Sequence, residues 1–257
     1  MTTLLLISHP GHELRILGWV QKNRPKTVIL TLGEGSQKRP RIYESLMMLS
    51  RFGADVNDPW IQPVPDQNIY SSLLGRSESP IFKWIETLTS RCIAENVDTI
   101  VADSAEGYNP SHDLCRILAN TLSSRLKEMG RPVLNLEFPL EGPPISASGQ
   151  DRVHTQVNLS QQETREKIKL ALNYAKCTSS TLYEEIKTML QRYGENAFAT
   201  EIIYAAQTTC YENGMLPRSP PHFEQVGSAK QKAGIYSDVI RAEHLLRISQ
   251  EINARRK

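Results

Sequence analysis

Unbroken apolar runs alternate with amphipathic segments between residue 3 and about residue 140. The runs TTLLLIS, TVILTL, DTIVAD and PVLNLEF have the length and composition of strands covered on both faces. Between them, segments such as RIYESLMMLSRF and SPIFKWIETLTSRCIAEN repeat apolar residues at helical spacing. Strands that alternate with helices predict an α/β fold, here a doubly wound, mostly parallel, Rossmann-like sheet with helices on both faces.

Several predicted helices begin and end at residues suited to those positions. Ser79 precedes Pro80, a pair typical of an N-cap followed by the first helical residue. Ser111 is the predicted N-cap of the helix after DTIVAD. Gly53 follows RIYESLMMLSRF, and Gly130 follows the helix that begins at Ser111. Glycine at such a position is typical of a helix end, because it readily adopts the left-handed conformation.

The composition changes at PLEGPPISASGQ, a stretch rich in Pro, Gly and Ser. We predict an α/β core over residues 1–145 and a helical extension over residues 146–257, packed on the core and able to act as a lid. The extension is predicted to contain helices over residues 160–192 and 229–254, joined through the Pro-rich segment MLPRSPPHFEQ.

The extension also contains several polar side chains that could face a site. In one interpretation they close over it from a long, irregular connection; in the other they belong to helix packing and a polar surface. These side chains are His222, Glu224, Tyr236 and His244, while His154 is predicted to lie on a strand surface.

Charge and cysteine usage narrow the classes of partner. The 257 residues include 30 basic and 28 acidic side chains, so the formal charge of +2 favours neither nucleic acid nor an anionic membrane. The chain has four cysteines without Cys-x-x-Cys spacing, and we expect reduced thiols. With an apolar strand directly after Met1 and no apolar run of membrane-spanning length, we expect a soluble, cytoplasmic protein. A homo-oligomer is compatible with these numbers.

Three histidines lie just beyond predicted strands. His9 and His12 follow the first strand, at the start of a helix predicted to extend to Asn23, and His112 follows the third strand. Because these loops leave the same edge of a parallel sheet, the three rings are expected to converge. Three protein ligands and a water are typical of catalytic zinc. The competing interpretation is that of surface or helix-capping histidines.

Five short motifs carry a resemblance to a known family. They are SHPGHE, TLGEGS, RIYE at residues 41–44, PDQNIY at residues 65–70 and GYNPSHD at residues 107–113. In this order and spacing, over about residues 3–140, they resemble the PIG-L/LmbE family of metal-dependent N-deacetylases. The resemblance implies zinc-dependent hydrolysis of acetamido groups on amino sugars or related small molecules, on a Rossmann-like sheet.

The resemblance also implies a set of metal ligands. His9 matches the first metal histidine of the family and His112 the later one, while His12 stands where the family has a metal-binding aspartate. The implied site is therefore changed from two nitrogens and an oxygen to three nitrogens. Zn²⁺ is the first candidate, and Fe²⁺ or copper would also suit three histidines.

Two positions depart from the family pattern where its acid/base chemistry resides. Gly11 stands where the family has the aspartate that acts as general base, and glycine cannot take a proton. Asn109 replaces a histidine thought to stabilise the oxyanion or protonate the leaving amine. Asparagine can donate a hydrogen bond to an oxyanion but cannot deliver a proton.

A replacement for the missing base is sought among nearby carboxylates. The candidates are Glu13, Asp103, Glu106 and Asp113. Each also has a structural interpretation: Glu13 orients a histidine, Asp103 satisfies loop amides, Glu106 is solvated, and Asp113 favours a helix N-terminus.

Two further residues match family positions near the substrate. Arg41 is predicted to hold an acetate or phosphate bidentately, or else to be a solvated residue of the basic cluster QKRPR. Asp66 is expected either to contact substrate hydroxyls or to cap a helix from Gln67, and the cap is the default interpretation.

These patterns leave three hypotheses for function. The first is a zinc-dependent hydrolase of the PIG-L/LmbE type that cleaves an amide C–N bond. The second is a family relative that has lost hydrolysis and binds a ligand or a partner, as Gly11 and Asn109 suggest. The third is a three-histidine iron or copper enzyme.

Overall fold

The protein has an α/β fold built on one mixed, mostly parallel sheet. The computed structural model describes residues 2–35, 38–142 and 147–255. Six strands lie in the order β2-β1-β3-β4-β6-β5. Parallel pairing joins β2, β1, β3 and β4, whereas β6 runs antiparallel to both β4 and β5. The strands are β1 (Thr2–Ile7), β2 (Lys26–Ile29), β3 (Val97–Asp103), β4 (Leu134–Phe138), β5 (Val153–Asn158) and β6 (Thr200–Ala205).

Helices surround this sheet. Those of the first 140 residues are α1 (Leu17–Asn23), α2 (Ile42–Arg51), α3 (Asp66–Leu73), α4 (Pro80–Ala94) and α5 (Pro110–Glu128). Those that follow are α6 (Gln161–Thr178), α7 (Ser180–Tyr193), α8 (Asn196–Ala199), α9 (His222–Lys232) and α10 (Ala242–Ala254). A 3-10 turn over His12–Arg15 precedes α1. Within the described ranges, none of the helices is both long and apolar enough to cross a membrane.

Alternate residues of β1 reach opposite faces of the sheet. Leu4 and Leu6 join a core with α3, α4, α5 and α10, while Leu5 and Ile7 join one with α1 and α2. All four side chains are fully buried. The strand is therefore covered on both faces, which confirms the interpretation of its unbroken apolar run.

Of the two predicted N-caps, Ser79 is confirmed and Ser111 is wrong. The Ser79 hydroxyl accepts a hydrogen bond from the Ile81 amide at the start of α4. At the start of α5, however, Asn109 is the N-cap and accepts from the amide of Ser111, the residue predicted for that role. Pro110 explains the shift, because a proline at the first helical position places the cap one residue before it.

The extension differs from the helical prediction. It contributes β5 and β6 to the common sheet, and the single helix predicted over residues 160–192 is interrupted at Ser179. Ser179 has extended backbone angles and its hydroxyl accepts from the Leu182 amide, so it ends one helix and caps the next. Part of residues 229–254 likewise forms the connection between α9 and α10. The boundary near residue 145 stays a prediction.

Candidate metal centre

The three histidines singled out in the sequence lie together. His9 follows β1, His12 begins the 3-10 turn, and His112 lies in the first turn of α5. Their ring centroids are 5.4 Å apart for His9 and His12, 5.5 Å for His9 and His112, and 4.6 Å for His12 and His112. Because β1 and β3 are parallel neighbours, the chain segments beyond their carboxyl ends converge here.

Two of these histidines each meet a carboxylate at the Nδ1 atom of the ring. The Nδ1 atom of His12 is 2.9 Å from Asp103 Oδ2. The Nδ1 atom of His9 is 3.3 Å from Asp66 Oδ1 and 2.8 Å from Thr31 Oγ1. A partner at Nδ1 fixes the tautomer and leaves Nε2 as the coordinating nitrogen, the arrangement common around metal-binding histidines.

Other polar atoms in this cluster are buried without partners. Within the part of the chain that the structure describes, they include His9 Nε2, His112 Nδ1 and Asp103 Oδ1. Burial lowers the pKa of His112 well below its ordinary value, and it lowers the pKa of His12 although Asp103 opposes the shift. Both imidazoles are therefore held in the neutral form that binds metals. Buried polar atoms normally have a partner, so these atoms indicate a binding site for a ligand or a water molecule. The imidazole nitrogens and carboxylates gathered here fit a divalent metal.

The donors are not yet positioned for an ion. Within residues 2–35, 38–142 and 147–255, no group of three or more His, Cys, Asp or Glu side chains could hold a metal ion as it stands. The planes of the three rings meet at 66° to 87°. Metal binding therefore requires the rings to rotate about their side-chain torsions until the free nitrogens face a common point.

Gly11 has a backbone conformation and surroundings that disfavour a side chain. Its φ of +105° lies in the region that favours glycine. A Cβ atom at this position would lie 3.3 Å from both Leu182 Cδ2 and Tyr174 Cε1. An aspartate at position 11 would thus meet backbone strain and two side chains from the extension.

Glu13 orders the loop that contains Gly11. Its Oε2 accepts a hydrogen bond from the Gly11 amide at 2.8 Å, and its Oε1 accepts from the Ser45 hydroxyl at 2.5 Å. Ser45 in turn lies 2.8 Å from the Tyr174 hydroxyl. Burial raises the pKa of Glu13. This carboxylate therefore ties the histidine loop to α2 and α6, and the proposal of Glu13 as the base gains no support from its contacts.

Asp103 is buried at the end of β3. Its Oδ2 accepts from the Ser8 amide at 2.8 Å and from the Ser8 hydroxyl at 2.6 Å, besides pairing with His12. Burial alone would raise its pKa, but His12 and Ser8 lower the pKa of Asp103 to about 2. A carboxylate this stable in its ionised form is a good orienting partner and a weak base.

Glu106 and Asp113 also bind backbone amides. Glu106 accepts from the amides of Leu140 and Glu141, and so holds the loop after β4. Asp113 accepts from the Gly107 amide at 3.0 Å. Both carboxylates therefore have structural roles in the loops beside the histidines, and their role as base stays a prediction.

Arg41 lies in the wall of a cavity of about 850 Å³ that also contains the three histidines. Its Nε donates to the Gly33 carbonyl at 2.7 Å. That bond holds the guanidinium at the cavity wall instead of leaving it in the basic cluster. Asn109 lines the same cavity while its side-chain oxygen caps α5.

Asp66 is not the predicted helix cap. Pro65 occupies the N-cap position of α3, and Asp66 is the first residue of the helix. Its Oδ2 accepts from the Gly35 amide at 2.9 Å, and its other oxygen faces His9. Burial opposes ionisation, but the contacts with His9 and Gly35 lower the pKa of Asp66 below its ordinary value. Asp66 therefore binds the His9 ring.

Sequence reasoning missed two residues of the cavity wall, Tyr108 and Glu185. The Tyr108 ring is stacked with that of His112 at 6.4 Å and with that of His222 at 4.8 Å. Tyr108 belongs to the motif GYNPSHD and could have been considered. Glu185 lies on α7, in a segment whose helical pattern gives no sign of a site.

Of the four polar side chains considered for a lid, His222 stacks on Tyr108, which stacks in turn on His112 of the candidate metal centre. Glu224 accepts from the Ala242 amide, and His244 Nδ1 accepts from the Arg241 amide. The first bond joins the starts of α9 and α10, and the second caps the start of α10. They support the helix-packing interpretation for Glu224 and His244.

Comparison with known proteins identifies no family for this chain. No protein-family model, no curated protein and no solved structure matches it. The resemblance to PIG-L/LmbE deacetylases thus rests on the five motifs alone, and function must be argued from the geometry of the site.

Proposed function

We propose that this protein is a metal-dependent hydrolase of the PIG-L/LmbE type, with a Rossmann-like core, that cleaves an amide C–N bond of a small, polar, sugar-like substrate. His9, His12 and His112 would hold the ion, and Zn²⁺ is the first candidate. A cytoplasmic location belongs to the same proposal.

One observation carries this proposal. Two converging histidines meet carboxylates at Nδ1, His12 that of the buried Asp103 and His9 that of the half-buried Asp66, while His9 Nε2 and His112 Nδ1 are buried without a partner among the described residues. Hydrogen bonds of this kind commonly orient metal ligands. A purely structural histidine cluster would be expected to satisfy these nitrogens.

The surrounding residues suit amide hydrolysis. A bound divalent metal would polarise the substrate carbonyl and lower the pKa of water. Arg41, fixed to the Gly33 carbonyl, presents a permanent positive charge to the same cavity and can bind the carboxylate product. Asp66 and Asp103 keep the rings of His9 and His12 oriented.

Chelation tests the proposed function. We expect the protein as purified to hydrolyse a member of a panel of acetamido sugars, and exhaustive chelation to abolish turnover and lower the melting temperature. Adding Zn²⁺ back should restore both. A metal-free sample that retains full activity would contradict the proposal.

A second candidate function is a non-hydrolytic binding module. The observation that favours it is Gly11, where φ is +105° and the space of a side chain is bordered by Leu182 and Tyr174. Metal binding without turnover on any acetamido sugar would support this candidate. Recovery of iron or copper instead of zinc would favour the three-histidine redox enzyme.

A further inference from the structure

The carboxylates nearest the histidines are already engaged. Glu13, Asp103 and Asp66 each accept hydrogen bonds from backbone amides, and the last two also hold histidine rings. A group that exchanges protons with substrate must have an oxygen directed into the cavity. The acid/base group is therefore sought among the other carboxylates of the cavity wall.

Glu185 lies in that wall, on α7 of the extension. Its Oε1 accepts a hydrogen bond from the Tyr108 hydroxyl at 3.3 Å. The Tyr108 ring is stacked with that of the proposed ligand His112, at an interplanar angle of 29°. Tyr108 thus lies between the Glu185 carboxylate and His112 in the wall of the cavity.

Charge and exposure around Glu185 are suited to proton exchange. Partial desolvation raises the pKa of Glu185, and the Tyr108 hydrogen bond and Arg41 oppose this shift. Arg41 and Glu185 both line the cavity, so a cation and a carboxylate share its wall. The residue is exposed, so a substrate that enters the cavity can reach it.

We propose that Glu185 is the acid/base residue at the nitrogen of the scissile amide, supplied by the extension in place of the carboxylate that Gly11 lacks. This proposal rests on the proposed hydrolase function and specifies it further. It makes the product a primary amine whose ammonium group is bound by Glu185, while Arg41 binds the carboxylate product.

The proton transfers balance with Glu185 alone. Its carboxylate takes one proton from the attacking water as the C–O bond forms. When the C–N bond breaks, the protonated Glu185 gives that proton to the leaving nitrogen. The carboxylic acid product then loses its proton to the amine, so the products are a carboxylate and an ammonium ion and Glu185 is again ionised.

Glutamine substitutions test this role in the full chain. Glu185→Gln should lower kcat by about 100-fold or more on the acetamido sugar that the wild type hydrolyses. Its metal content and circular dichroism should remain those of the wild type. Glu166→Gln is the control, because Glu166 is an exposed carboxylate of α6 that lies outside the cavity wall and accepts from Gln162. An unchanged kcat in Glu185→Gln, or a comparable loss in Glu166→Gln, would overturn the proposal.

Calorimetric titration with glucosamine gives a readout that does not need turnover. Loss of the carboxylate should weaken binding of this amine about tenfold or more in Glu185→Gln, whereas Glu166→Gln should bind it as the wild type does. If the wild type lacks turnover but shows this difference, the hydrolase function and the acid/base role of Glu185 both fail, and only amine binding at Glu185 stands. Equal glucosamine affinities in all three proteins, or absence of binding to the wild type, would overturn the Glu185 site.

Discussion

Gly11 separates two histidines with a backbone conformation that L-amino acids rarely adopt. Its amide is fixed by Glu13, and the volume beside its Cα is bordered by Leu182 and Tyr174. The glycine is thus required by the loop as it stands. Reinstating an aspartate there would disturb the loop that positions His9 and His12.

We predict that Gly11→Asp destabilises the protein and does not raise its rate of acetamido sugar hydrolysis above that of the wild type. Gly130→Ala is the control, because Gly130 also has a positive φ but its added Cβ meets no described atom within 4 Å. The control should lose about 1–2 kcal/mol from the backbone conformation alone, and Gly11→Asp should lose more. Urea denaturation measures both. A Gly11→Asp protein of wild-type stability that hydrolyses acetamido sugars faster than the wild type would show this reasoning to be wrong.

Asp103 is the second residue whose contacts allow a sharp prediction. Asp103→Asn removes the charge that holds His12 Nδ1, so metal affinity should fall about 10- to 100-fold. Asp98→Asn is the matched control, since Asp98 lies on the same strand and bonds Thr99. Competition with a fluorescent chelator measures the affinities. Equal affinity in the two variants would exclude an orienting role for Asp103.

At the scale of elements, a buried ion pair joins the extension to the core. Lys167 on α6 donates to Glu201 on β6 at 2.6 Å and to the Arg15 carbonyl at 2.8 Å. The Glu201 carboxylate also accepts from the amides of Gly18 and Trp19 at the start of α1. Three elements are therefore connected by one buried pair of charges.

Lys167→Met is expected to lower the free energy of unfolding by about 3–5 kcal/mol, because it leaves the buried Glu201 without its countercharge. Lys187→Met removes a lysine from an exposed pair with Glu184 and should change stability by less than about 0.5 kcal/mol. Chemical denaturation of the two variants provides the comparison. Similar losses in both would mean that the buried pair does not connect these elements.

Element boundaries in the core were more predictable than those in the extension. The apolar runs of β1 and β3 and the Ser79 cap of α4 are local signals, and the structure confirms them. The strand over Thr200–Ala205 depends on pairing with β4 and β5, which are distant along the chain. Local periodicity does not report such pairing, because tertiary contacts decide it.

At the scale of the whole molecule, parallel topology explains which parts of the site could be foreseen. Convergence of His9, His12 and His112 follows from loops that leave one edge of a sheet, and the sequence was sufficient to predict it. The contact of Asp66 with His9 and the approach of Glu185 to Tyr108 depend on how α3 and α7 pack. Neither packing arrangement has a signal in the motifs.

The central claim is that His9 and His12, which follow β1, and His112, which lies in α5, bind one metal ion. Metal analysis by mass spectrometry, on protein purified without chelators or added metals, tests it most directly. We predict about one zinc ion per chain in the wild type and loss of that ion in His9→Ala and His112→Ala. A metal-free wild type, or equal metal content in all three proteins, would contradict the claim.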